Sequence, residues 1–166
     1  MNKKMYEAIN TQINKELFSG YLYLSMQAYF ANQNLPGFAH WMHIQAKEEF
    51  MHAMKMFEYL GDRGEQPKML AIDAPETNWS SPLKVFENAY SHEQKVTKMI
   101  HKLAELAASI KDHATQSFLK WFIDEQVEEE ASADAILQKL KMAGSDKTAL
   151  LYLDAELAKR TTPQGE

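Results

Sequence analysis

The sequence predicts an all-α protein: a four-helix bundle with a long crossover between its second and third helices and a short fifth helix at the C-terminal end. Three observations predict it. The 6 Gly and 5 Pro residues are few and gather mostly at breaks, leaving four long segments of nearly 30 residues. Each segment carries apolar residues at intervals of three and four, the period of a helix buried on one side. The two halves of the chain also repeat one polar set. Glu16, Glu49 and His52 recur, after a shift of 77 residues, as Glu93, Gln126 and Glu129.

The first helix, α1, is expected from about Lys3 to Asn32, where Asn34-Leu35-Pro36-Gly37 breaks it. Pro36 suits the first turn of α2, which runs from about Pro36 to Asp62 before Gly61, Gly64 and Pro67 end it. Residues 64–81 form a connection longer than most in compact proteins, with Pro67, Pro75 and Asn78 along it. Ser81-Pro82 then reads as an N-cap followed by Pro at the first helical position of α3, about 82–110. Lys111-Asp112 is a short break, with Asp112 as the cap of α4, which runs to about Ala143. Gly144 stops it, and Ser145 or Asp146 caps a short α5 near 146–158. The tail 161–166 is expected to be flexible. Short links join α1 to α2 and α3 to α4 as antiparallel hairpins. A connection that runs the length of the bundle between the hairpins makes the topology up-down-down-up. The whole of 1–166 reads as a single domain, with the bundle over about 3–143.

Composition narrows the function. A formal net charge of -5 is a poor footing for nucleic-acid binding, which leans on Lys and Arg neutralising phosphates. The chain has no Cys, so disulfides, thiolate zinc sites, cysteine-ligated iron–sulfur clusters and cysteine nucleophiles are excluded. Glu7, Asn10, Gln12 and Asn14 interrupt any apolar run near the N-terminus, and no stretch approaches the length that spans a bilayer. A cytoplasmic protein with no nucleic-acid or membrane partner is expected.

The polar repeat lies inside the apolar stripes. The predicted buried faces are Ile9, Ile13, Glu16, Gly20, Tyr23 in α1; Phe38, Met42, Gln45, Glu49, His52, Met56, Tyr59 in α2; Phe86, Ala89, Glu93, Val96, Ile100, Leu103 in α3; and Leu119, Phe122, Gln126, Glu129, Ala133, Ile136, Leu140 in α4. A lone Glu on such a face is more often solvated or paired than a ligand. Acids at matching depths on four helices need a shared compensation, because burying an unpaired carboxylate is costly. Two metal ions supply it. Carboxylates with one imidazole suit Fe, Mn or Zn. Glu49 and His52, three residues apart, project toward one ion. A Glu from each of two helices plus Glu-x-x-His on the other two is a di-iron carboxylate arrangement of helical bundles. Here Gln126-x-x-Glu129 replaces the second Glu-x-x-His, so the two metal positions are expected to differ. The first takes Glu16, Glu49 and His52, the second takes Glu93 and Glu129, Glu49 bridges, and Gln126 is a weak or indirect ligand. Glu48, Glu125 and Glu128 lie about 100° around their helices from these ligands, where a further, weaker cation site would sit. Glu130 reads as solvated. Tyr23 and Trp121 read as core aromatics, and His92, His101 and His113 as exposed. His40 and His43 have no carboxylates aligned with them.

At these residues the chain resembles the ferritins, specifically the bacterial non-haem type. The resemblance rests on Asn14-Lys15-Glu16-Leu17 with 21–24, on Ala46-Lys47-Glu48-Glu49-Phe50-Met51-His52-Ala53, on His92-Glu93-Gln94-Lys95-Val96, and on Phe118–Phe122 running into 125–130. It spans nearly the whole chain. It implies a ferritin-like fold and a homo-oligomeric shell of 24 subunits. It also implies oxidation of Fe(II) by dioxygen or hydrogen peroxide at a di-iron ferroxidase centre, and storage of a ferric oxyhydroxide mineral inside. Glu16, Glu49, His52, Glu93, Gln126 and Glu129 match the ferroxidase positions. Glu48, Glu125 and Glu128, with Glu129 shared, match a third iron site. Tyr23 matches a tyrosine beside the first metal.

Departures from related groups refine this reading. Bacterioferritins, which are similar, keep Glu and His where Gln126 and Glu129 stand, and carry a haem-ligating Met where this chain has Phe50, so no haem is expected. Animal ferritins line a channel with acids at positions matching Gln116 and Leu119, so their iron entry route does not carry over. The leucines 150, 151, 153 and 157 match the short helix that ferritins pack around a four-fold axis and that mini-ferritins lack. A rubrerythrin-type peroxidase is disfavoured by the absence of Cys, and a purely structural subunit by the intact ligand set.

Overall fold

The computed structural model describes residues 1–161, and among them it contains five helices and no strand. They are α1 Lys3–Asn32, α2 Pro36–Asp62, α3 Pro82–Ser109, α4 His113–Ala143 and α5 Lys147–Leu157. The expected flexible tail falls, beyond Thr161, outside the described residues.

Local chemistry sets each boundary. Asn2 accepts from the Lys4 N–H and caps α1. After α1 the chain turns through Asn34 at φ 57°, a left-handed conformation that Asn tolerates better than most residues. Ser81 caps α3 by accepting from Lys84 N–H, with Pro82 following, and Asp112 caps α4 by accepting from Thr115 N–H. Gly144 ends α4 at φ 54°. Of the two caps foreseen for α5, Asp146 takes the role, accepting from Thr148 and Ala149 N–H.

α2 is capped differently. Its N-cap residue Leu35 has no side-chain acceptor, and the orphan N–H of Phe38 instead donates to Asp154 Oδ1, 3.0 Å away on α5. This contact depends on Gly37, where an added Cβ would lie 1.7 Å from the Asp154 carbonyl oxygen. α5 thus packs on its own chain against α2 and α4. It buries Leu153 and Leu157, half-buries Leu150, and leaves Leu151 and Tyr152 exposed.

The connection after α2 is strapped along α1 by a ladder of polar contacts. Tyr6 hydroxyl donates to Gln66 O, Asn10 both donates to Lys68 O and accepts from Lys68 N–H, Asn14 donates to Ala71 O, and Ser25 hydroxyl donates to Glu76 O. The α1 residues advance along the helix as their partners advance along the strap. The strap therefore runs the length of the bundle, and α3 starts beside the start of α2.

The core is divided in two. One apolar cluster joins the C-terminal half of α1, the N-terminal half of α2, the start of α3, the end of α4 and α5, with Phe30 stacked on Phe38 at 4.9 Å between ring centroids. The other joins Met5, Ile9 and Ile13 to Met56, Leu60, Ile100 and Leu119. Each buried Leu, Ile or Phe contributes about 1.5–3 kcal/mol, so both clusters brace the helices firmly against whatever lies between them. All the predicted stripe residues are buried except Tyr59, which is half-buried because its hydroxyl pairs with Thr115 Oγ1 and receives a bond from Arg63. No helix among the described residues is long and apolar enough to cross a membrane.

Candidate metal centre

Between the two clusters lies a polar layer. Glu16 comes from α1, Glu49 and His52 from α2, Glu93 from α3, and Gln126 and Glu129 from α4, and none is more than 5% exposed. The rigid helices on either side hold all six at one depth.

Ligand-capable atoms of Glu16, Glu49 and His52 lie within 4.8 Å of one another, and so do those of Glu49, Glu93 and Glu129. Glu49 belongs to both groups. A third group of the same compactness joins His52, Glu125 and Glu129. The two ring nitrogens of His52 face different carboxylates: Nδ1 is 3.5 Å from Glu49 Oε2, and Nε2 is 4.0 Å from Glu125 Oε1.

Glu16, Glu93 and Glu129 are held from behind. Gln12 Nε2 donates to Glu16 Oε1 at 2.8 Å. Tyr23 hydroxyl donates to Glu93 Oε1. Gln126 Nε2 donates to Glu93 Oε2 at 3.3 Å and to Thr97 Oγ1 at 3.2 Å. Gln45 Nε2 donates to Glu129 Oε2 at 2.5 Å. Trp121 sets its ring edge-on to His52 at 5.4 Å, with Lys55 over its face. Glu16 Oε2, in contrast, is buried and has no hydrogen-bond donor among the described residues. Its carboxylate lies near enough to that of Glu49 for the two to share a proton.

Burial dominates the electrostatics. It pushes the Glu16 carboxyl up to about 7, an effect that the bond from Gln12 only partly offsets. Burial likewise raises Glu93 to about 7, against the bonds from Tyr23 and Gln126. Glu49 and Glu129 are raised well above the ordinary carboxylate range, first by burial and then by the charge of Glu93. Burial lowers His52 to about 4, so its imidazole is neutral at pH 7 and able to ligate. Without cations, protons must therefore occupy part of this cluster. An orphaned carboxylate oxygen, four buried acids and a neutral imidazole form a hard, oxygen-rich donor set that fits Fe, Mn or Zn.

The structure brings together only part of the outer acid set. Glu125 lies against His52 as described, but Glu48 and Glu128 enter no such compact group among the described residues. Glu128 is exposed. Glu48 is buried and its Oε2 accepts from Arg160 Nη2 at 2.5 Å. Burial raises the Glu48 carboxyl, and the Arg160 charge opposes that rise.

Tyr23 is fully buried, as a core aromatic should be, and its hydroxyl bonds Glu93. Other expectations are corrected by packing. Glu130 is half-buried and accepts from Thr97 hydroxyl at 2.6 Å. His92 is half-buried too. Its Nε2 is 2.8 Å from Ser19 Oγ, its ring packs on Phe18 and Tyr23, and burial lowers it to about 4. His101 and His113 are exposed, as expected. Gln12, Thr97 and Arg160 support the site but were not among the site residues expected from the sequence. Gln12 could have been found, because it stands one turn before Glu16 on the same face. Gln45 lay in the α2 stripe with no partner foreseen.

A family model described as a ferritin-like domain matches residues 6–143. The bacterial non-heme ferritin of Bacteroides fragilis (strain 638R) is 44% identical over 160 residues, covering 96% of this chain and 99% of that protein. The bacterial non-heme ferritin of Staphylococcus aureus (strain MRSA252) is 42% identical over 161 residues and covers 97% of each. Among solved structures, an open pore ferritin from the hyperthermophilic archaeon Archaeoglobus fulgidus superposes with a TM-score of 0.96 at 53% identity, covering 97% of this chain and 99% of that one. A humanized archaeal ferritin superposes with a TM-score of 0.98 at 51% identity, covering 99% of both.

Proposed function

We propose, from the premise that this chain belongs to the ferritin family, that its buried carboxylate layer is a di-iron ferroxidase centre feeding iron into storage. Iron storage is the function the family supports. The observation that supports the finer reading is the sharing of Glu49 between two compact ligand groups, an arrangement that would suit two cations side by side with one bridging carboxylate.

Iron is the substrate here, not a resident cofactor. Glu16, Glu49 and His52 would take one Fe(II), and Glu49, Glu93 and Glu129 the other, with Gln126 holding Glu93 rather than ligating strongly. Binding two dications displaces the protons that burial forces onto these acids. Held together, the pair delivers two electrons to one oxidant: 2 Fe(II) + O2 + 2 H+ gives 2 Fe(III) + H2O2. Hydrogen peroxide can accept the next pair, giving water. The helices supply fixed, water-poor positions, and hard carboxylates accommodate the ferric product. One half has an imidazole and the other is all carboxylate, so the two positions bind iron unequally. Glu125 and Glu129 offer an onward position beside His52, with Glu48 and Glu128 as outer members of a third iron site.

Ferric ion leaving the centre hydrolyses to oxyhydroxide, which needs an enclosed space. A homo-oligomeric shell of 24 subunits in the cytoplasm is the proposed setting. Exposed apolar residues support assembly: Tyr21, Leu24, Phe50, Met51 and Ile72 line a groove of about 710 Å³ along α1, α2 and the strap, an apolar surface of the kind that marks an interface. No haem is part of the proposal.

The experiment is aerobic Fe(II) loading of the purified protein, with particle size from light scattering and iron counted per particle. A large particle that retains many more iron atoms than its ferroxidase positions could hold is the expected result. A small oligomer that oxidises iron but retains none would instead identify a peroxidase without storage.

A further inference from the structure

Arg160 follows α5, more than a hundred residues from its partners, yet it is held on one face of α2. Its backbone oxygen is 2.8 Å from His40 Nε2. Its guanidinium lies over the Trp41 ring at 4.4 Å from the centroid. Nη1 donates to Trp41 O at 3.3 Å and to Gln45 Oε1 at 2.9 Å, and Nη2 donates to Glu48 Oε2 at 2.5 Å. Gln45, which is fully buried, passes the contact inward by donating from Nε2 to Glu129 Oε2. Arg160 thus touches one acid of the outer set directly and a second through one amide.

This has a chemical consequence. A carboxylate that accepts a charge-assisted bond from a guanidinium has its charge already balanced and one oxygen already engaged. A pair of this kind, with its carboxylate buried, is costly to break from the guanidinium side, because the remaining charge is left uncompensated. Glu48 is buried and cannot turn to water for compensation. Gln45 has its amide oxygen committed to Arg160, which fixes its amide nitrogen toward Glu129.

We propose that Arg160 is the chain's own counter-cation at the third iron position. It takes Glu48 out of the cation-binding set and, through Gln45, positions Glu129, so that Glu48 holds no third metal ion while the guanidinium is in place. The proposal rests on reading Glu48, Glu125, Glu128 and Glu129 as a third site. Arg160 is a positioning residue, and its guanidinium and a third cation exclude each other at Glu48.

The test is anaerobic titration of the metal-free full-length protein with Zn(II), a redox-inert probe suited to carboxylate and imidazole donors, followed by calorimetry. Wild type, R160Q, R160K, E48Q and R160Q/E48Q are compared, with particle size checked by light scattering. R160Q is expected to take up one more Zn(II) per subunit than wild type. R160K, which keeps the charge, and R160Q/E48Q, which removes the freed ligand, are expected to lose that gain. A purely structural role for Arg160 would not add a binding position. Equal counts for wild type and R160Q would overturn the proposal. So would a wild-type protein that loses an ion on the E48Q substitution alone, since Glu48 would then be ligating despite Arg160. That second comparison needs no change at Arg160, and it decides the matter even if the Arg160 variants fail to fold. The di-iron reading is judged separately, by whether wild type binds a pair of ions that depends on Glu49. The Arg160 result is a difference between proteins and does not depend on that pair.

Discussion

His52 Nδ1 and Glu49 Oε2 lie 3.5 Å apart on successive turns of α2, with both side chains buried. That is too long for a good hydrogen bond. It is close to the separation of two donors on one ion, since ligands about 2.0–2.2 Å from a metal sit roughly 3–3.5 Å from each other. The pair is spaced for a cation between its members.

Replacing His52 by Ala removes the only nitrogen donor of the first ligand group. We expect Zn(II) to bind there at least about tenfold more weakly, while the Glu93–Glu129 position keeps its affinity to within a few-fold. Anaerobic calorimetry resolves the two positions. Equal weakening of both would show that the ligand groups are not separate.

Tyr23→Phe leaves Glu93 Oε1 without its donor in a fully buried setting. Residues that hold a ligand in place commonly change metal affinity or activity by about 10–100-fold when removed. Fe(II) oxidation is therefore expected to slow by about tenfold or more, with helix content unchanged by circular dichroism. An unaltered rate would mean that Gln126 alone holds Glu93.

The metal-free protein should lose stability as pH rises from about 4.5 toward 7. Glu16 and Glu93 have folded-state values of about 7, above the usual 4.5, so the folded chain binds more protons than the unfolded one across that window. Glu49 and Glu129 act in the same direction. His52 and His92, each lowered to about 4 from 6.5, act oppositely below 6.5, but they are two groups against four. The Tm of chelated protein is expected to fall over this range. With Zn(II) present the trend reverses, because metal competes better as protons leave. A metal-free Tm that climbs steadily from pH 5 to 7 would show that the cluster is not the dominant titrating unit.

Gly37→Ala tests the seat of α5. A Cβ at 1.7 Å from the Asp154 carbonyl oxygen cannot be accommodated by a side-chain movement, because the obstacle is backbone. α5 must shift and the Asp154 bond to Phe38 N–H must lengthen, at a cost of about 1–3 kcal/mol. A thermal melt with Tm lowered by several degrees is the expected outcome, and an unchanged Tm would show that the contact is dispensable.

The helices and the six residues of the buried polar layer were readable because both depend on local period. Caps at Ser81 and Asp112 and breaks at Pro36 and Gly144 are short-range chemistry, and stripes spaced by three and four identify a buried face whatever lies opposite it. Contacts between distant segments were not readable. Nothing near Arg160 in the sequence points to Glu48, because the guanidinium beside that acid comes from the far end of another helix. His92 was misjudged for a related reason. Its stripe position is off the core face, but Phe18 and Tyr23 of α1 lean over it. The strap on α1 was foreseen as a length argument, whereas the asparagines that fasten it were not.

The most direct test of the central claim is stopped-flow oxidation of Fe(II) in air by wild type and by Glu49→Ala, with assembly checked for both. Glu49 belongs to both the Glu16–His52 and the Glu93–Glu129 ligand groups, so its loss separates the two ions. The account predicts that rapid oxidation, at two Fe(II) per subunit in the first phase, disappears in the variant while the particle stays the same size. Wild-type rates from Glu49→Ala would contradict it.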